Sequence, residues 1–135
     1  MYSYNFLQRS FTAAIVVVAL FIGFGMGMAH EWMAPADEEK RPNPVASGMK
    51  SIERGKIIYL ENCAVCHGER IDGMKAEETG LQMDSPNLKK RLLTHTDGDF
   101  FWKIQNGRGD MPPFREDLTE EQTWDVINYI RNEAE

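Results

Sequence analysis

Residues 63–67 read Cys-Ala-Val-Cys-His, and no other stretch limits this chain so strongly. Two thiols three positions apart lie on one turn of backbone, and a His follows the second directly. That is the attachment signature of c-type haem. Each thiol can add to one vinyl group of the same porphyrin, and the imidazole then falls under the iron. Two other chemistries use paired cysteines. A redox dithiol needs no adjacent His and sits near a βαβ pattern, which this sequence lacks. A structural zinc site draws on two Cys/His pairs at short spacing, and His67 and His95 do not supply the second pair. One covalent haem on Cys63 and Cys66, with His67 as an iron ligand, is the reading carried forward.

The charge balance narrows the partners. Beyond His30 the chain carries 21 acidic and 14 basic residues, a net charge of −7. Nucleic-acid binding is not indicated. Clustered acidic charge would favour basic partners and a salt-dependent encounter. Both cysteines are used by the haem motif, so none is left for a structural disulfide.

Phe11 to Ala29 is an uncharged run of 19 residues with Arg9 as the only charge before it. Such a run is long enough to cross a bilayer, and Trp32 would sit at the interface. It also reads as a signal peptide cleaved after Gly27-Met28-Ala29. The retained anchor is the first reading and the cleaved signal the second. Both place the haem domain on the periplasmic side of the cytoplasmic membrane, anchored or soluble. Residues 30–50 follow as a flexible tether, with Pro35, Pro42 and Pro44 and a mixed charge run. Proline blocks regular helix and stiffens the chain.

The folded part is expected over 51–135. Ser51 is placed as a helix cap. Ile52, Gly55, Tyr59 and Cys63 recur at helical spacing, with Gly55 as a point of close helix approach. Residues 69–85 read as a polar loop with one helical turn at most. In Ser85-Pro86-Asn87-Leu88 the fixed Pro86 carbonyl could accept a hydrogen bond from a His Nδ1–H. Lys89, Lys90 and Arg91 read first as a solvated turn and second as a docking patch. Thr96 caps the next helix, which Asn106-Gly107 stops. In it Trp102, if buried, needs a partner for its N–H, and a haem propionate would serve. His95 reads as a local hydrogen-bonding residue.

Gly107-Arg108-Gly109-Asp110-Met111-Pro112-Pro113-Phe114 is the second informative stretch. A thioether must be held stiffly against a metal. Glycines before Met111 and prolines after it make a tight, rigid loop. Met111 is therefore read as the distal iron ligand, with Met83 and Met74 in reserve. Thr119 and Gln122 open the last helix as a capping box, with Trp124, Ile127 and Ile130 on its packing face.

From about Ser51 onward the chain resembles a class I monohaem cytochrome c. GKIIYLENCAVCH, SPNL, DGDFFWKIQNGRGDMPPF and TEEQTWDVINYIR carry the likeness. The resemblance implies a small all-α fold whose first and last helices cross, with Gly55 and Tyr59 meeting Tyr129 or Ile130. It implies His67 and Met111 as proximal and distal ligands, and Pro86 as the proline whose carbonyl holds the proximal His. The basic run after SPNL departs from the short Gly-containing turn of many relatives. The implied function is one-electron transfer between redox proteins in a respiratory or related chain, with no small-molecule substrate. The alternatives are a haem subunit of a larger membrane oxidoreductase and a haem sensor or enzyme with a displaceable distal ligand.

Overall fold

The structure, a computed structural model, describes residues 32–135. The run Phe11–Ala29 and His30 lie outside the described residues. Seven helices follow in chain order: α1 (Ala36–Glu39), α2 (Met49–Asn62), α3 (Ala64–His67), α4 (Ala76–Thr79), α5 (Leu88–Arg91), α6 (Asp97–Asn106) and α7 (Glu120–Asn132). Among the described residues there is no strand, only an isolated bridge between Arg108 and Met111. No helix among them is long and apolar enough to cross a membrane.

The crossing of α2 with α7 organises the domain. A Cβ on Gly55 would collide with the Asp125 carbonyl and stand 3.0 Å from Tyr129 Cβ. Only a glycine lets the two backbones approach this closely. One turn on, Tyr59 and Tyr129 pack with ring centroids 5.4 Å apart. Beside them sits a buried polar cluster. Asp125 accepts from Ser51 Oγ at 2.5 Å and from Arg54 Nε and Nη2 at 2.7 and 2.8 Å. Asn128 donates to Ser51 Oγ at 2.9 Å. Each buried polar atom here has a partner, which is what makes the cluster tolerable. Ser51 is therefore not the helix cap expected of it. The helix starts at Met49, with Gly48 before it, and Ser51 faces inward.

The other caps match the sequence. Thr96 accepts from Asp99 N–H at 3.1 Å. Thr119 and Gln122 form the reciprocal pair of a capping box. The core joins Tyr59, Ile71, Phe100, Phe101, Ile104, Trp124, Ile127 and Ile130.

The expected flexible tether corrects itself most. Residues 33–48 are packed onto α6 and α7 as a clasp, within the same compact unit as the rest of the domain. Ala34 N–H donates to Asp99 at 2.5 Å, and Thr96 Oγ1 donates to the Glu39 carbonyl at 2.5 Å. Arg41 lies 4.3 Å above the Phe101 ring, which stacks on Trp124, and pairs with Glu120 at 2.6 Å. Asn43 Nδ2 donates to Asn128 at 2.9 Å. Prolines and charges forbid a long helix here but do not forbid packing.

Candidate haem-binding site

Helix α2 ends at Asn62, and the chain turns through Cys63 into the single turn of α3. Cys66 N–H and His67 N–H both bond back to the Cys63 carbonyl, at 3.1 and 2.9 Å. These bonds hold both thiols and the imidazole on one turn. Both cysteines are free and half-buried. Burial and the neighbouring Cys66 push the Cys63 thiol up to about 12, so it is neutral at physiological pH. Tyr59 lies under this turn, and its hydroxyl donates to the Gly68 carbonyl at 2.8 Å. Burial and the nearby Cys63 raise the Tyr59 phenol above its ordinary value.

His67 is the informative residue. Burial lowers its pKa, against a smaller upward pull from the Pro86 carbonyl, which keeps the ring neutral. Its Nδ1 is buried and has no hydrogen-bond partner; the Pro86 carbonyl bears on the ring. A neutral imidazole with its proton on Nδ1 leaves Nε2 as the metal-facing nitrogen. The donor set fits a c-type haem: two adjacent free thiols, one neutral imidazole and a nearby carbonyl for its proton.

The Met111 loop is built as the sequence expected. Gly107 has φ +62, and a Cβ there would stand 2.5 Å from the Met111 carbonyl oxygen and from Pro112 and Pro113 atoms. Arg108 and Met111 exchange backbone bonds at 2.8 and 3.1 Å, and Phe114 N–H donates to the Ile104 carbonyl at 3.0 Å. Asp110 accepts from Gln82 N–H at 2.8 Å, stitching the 74–85 loop to this one. Met111 and Cys63 both pack against the same buried cluster. Met83 is 76% exposed, and Met74 is half-buried. Trp102 is half-buried in α6, and its carbonyl accepts from Asn106 Nδ2 at 2.8 Å.

His95 is local, as read from the sequence. It is buried, with Nδ1 2.8 Å from Thr94 Oγ1 and Nε2 3.6 Å from Asp99. Asp99, fully buried and bonded to Lys103 at 2.5 Å, was invisible in the sequence beyond its capping position.

Residues 50–130 match the family described as cytochrome c oxidase, cbb3-type, subunit III. Over 100 residues the chain is 31% identical to the cbb3-type cytochrome c oxidase subunit CcoP of Azospirillum brasilense, covering 67% of this chain and 31% of that protein. The chain thus spans about a third of that relative's length. It is 27% identical over 88 residues to cytochrome c6 of Pyropia tenera, covering 62% of this chain and 94% of the relative. Cytochrome c6 of Bumilleriopsis filiformis is 30% identical over 88 residues, with 62% and 93% covered.

Proposed function

The chain belongs to the family described as cytochrome c oxidase, cbb3-type, subunit III, a family of c-type cytochromes, and from that premise we propose the residues and setting through which it carries electrons. It is a haem c electron carrier of an electron-transport chain, with one covalently bound haem. When bound, the haem supplies a one-electron Fe(III)/Fe(II) couple. Cys63 and Cys66 would hold it by thioether bonds, and His67 and Met111 would bind its iron. In the loaded protein the Pro86 carbonyl would accept a hydrogen bond from His67 Nδ1–H, which would fix the ring and strengthen it as a donor. Trp102 is placed as a propionate donor. His/Met ligation raises the potential relative to stronger donor pairs. With His67 and Met111 both on the iron, no position would be left for a substrate, which favours a carrier over an enzyme.

The observation that supports this best is the single turn holding two free thiols beside a half-buried, neutral imidazole whose Nδ1 is buried. The partners are redox proteins. The likeness to CcoP supports a second reading, in which the domain is a haem subunit of a larger membrane oxidase. The domain acts on the periplasmic side of the membrane, held there by residues 11–29 where these are retained.

Covalent attachment is the test. After denaturation the haem should stay with the chain in acidic organic solvent, and Cys63→Ser and Cys66→Ser should each weaken attachment. Complete extraction of haem from the wild type would refute the assignment of both cysteines.

A further inference from the structure

The chain between His67 and Pro86 has to leave the α3 turn and come back to it. Tyr59 holds the outgoing segment at Gly68 through its hydroxyl. Gly73 N–H bonds back to the His67 carbonyl at 3.0 Å. The excursion over residues 74–85 closes on itself where Ser85 N–H meets the Met74 carbonyl at 2.9 Å. Leu88 N–H then donates to the Ile71 carbonyl at 3.1 Å. These bonds lay Ser85, Pro86 and Asn87 across Gly73. A Cβ at position 73 would collide with the Ser85 carbonyl oxygen and stand 2.9 Å from Pro86 C and 3.0 Å from Asn87 N. Those last two atoms belong to the Pro86–Asn87 peptide itself. The carbonyl of that peptide bears on the His67 imidazole, whose buried Nδ1 has no hydrogen-bond partner.

We propose that Gly73 is a positioning residue for the His67 imidazole: its missing side chain is the space into which the Pro86 peptide settles to face Nδ1. The inference rests on His67 being the proximal ligand, as assigned above. The local backbone supports a demand made by the site. Ile71 has φ +63, a conformation a β-branched residue adopts rarely, and Gly73 has φ +84. Strain of this kind persists where the surroundings over-determine the backbone.

Gly80 supplies an internal control. It lies in the same excursion with φ +74, yet a Cβ there meets nothing within 4 Å. Gly80→Ala carries the cost of a positive φ alone. Gly73→Ala carries that cost and pushes the Pro86 peptide. Gly73→Asn tolerates positive φ better but still brings a Cβ.

The test uses covalently loaded holoprotein and two readouts: the midpoint potential, and solvent exchange of the His67 Nδ1 proton followed by NMR. In Gly73→Ala and Gly73→Asn the proton should exchange faster. The imidazole should become a poorer donor, which destabilises Fe(III). The Fe(II)/Fe(III) ratio at fixed ambient potential should rise about threefold, roughly 30 mV for one electron. Gly80→Ala should leave both readouts at the wild-type values while losing some thermal stability. Wild-type exchange and potential in a folded Gly73 variant would overturn the proposal. So would an equal shift in Gly80→Ala, or failure of both Gly73 variants to yield holoprotein, which would make Gly73 a folding residue only. Loss of the haem from wild-type protein in acidic organic solvent would instead strike at the cysteine assignments and leave these comparisons without their premise.

Discussion

Asp99 carries more of the fold than its place in a capping turn announces. It is fully buried, and a carboxylate survives there only with its oxygens satisfied. Lys103 takes one oxygen at 2.5 Å and the Ala34 N–H the other at 2.5 Å, with His95 3.6 Å away. Replacing it removes the buried carboxylate that faces the Lys103 ammonium and leaves the Ala34 N–H without its acceptor. Asp99→Ala should therefore cost about 3 kcal/mol, the usual loss when one partner of a buried pair is removed. Leu93→Ala, at an 85% exposed position, should stay within about 0.5 kcal/mol. Urea unfolding of the two holoproteins checks both values; equal midpoints would deny Asp99 this role. The sequence showed Asp99 only as the third residue after Thr96, because Ala34 lies 65 positions away. By contrast Cys63, Cys66 and His67 could be read as a candidate site at once, since their chemistry depends on neighbours in the chain. The stiff loop that makes Met111 a candidate ligand could be read for the same reason: the glycines and prolines that build it are adjacent in the chain.

At the scale of elements, the α2–α7 crossing depends on one missing side chain. Gly55→Ala drives a methyl into the Asp125 backbone, which cannot swing aside as a flexible side chain would. The helices would have to separate, opening the Tyr59–Tyr129 contact and the Ser51–Asp125–Arg54 cluster. The expected loss is about 3 kcal/mol, at the upper end for overpacking. A thermal unfolding midpoint close to wild type would mean the crossing is looser than this. Helix boundaries set by caps were readable: Thr96, Thr119 and Gly107 act where their chemistry indicates. Ser51 misled because a serine near a helix start can equally be an inward polar contact. The 33–48 clasp could not be read locally at all. Its holding contacts, Arg41 on Phe101 and Trp124 and Asn43 on Asn128, span most of the domain. Composition alone made the same residues look like a tether.

At the scale of the whole molecule, the sequence from Ser51 onward has 85 residues, a size at which protein burial alone is marginal. The clasp adds cover to α6 and α7, while a covalent macrocycle would complete the core on the side of Cys63 and Met111. The central claim is that His67 and Met111 together close the iron and make this chain a carrier. Carbon monoxide binding to the ferrous holoprotein tests it most directly, read beside the ferric absorption spectrum. The account predicts that wild type resists carbon monoxide and shows a sulfur-to-iron charge-transfer band. Met111→Ala should bind the gas rapidly, lose that band and drop in potential, while Met83→Ala and Met74→Ala behave as wild type. Rapid carbon monoxide binding by wild-type protein, with no such band, would contradict Met111 ligation and put a sensor or enzyme in place of the carrier.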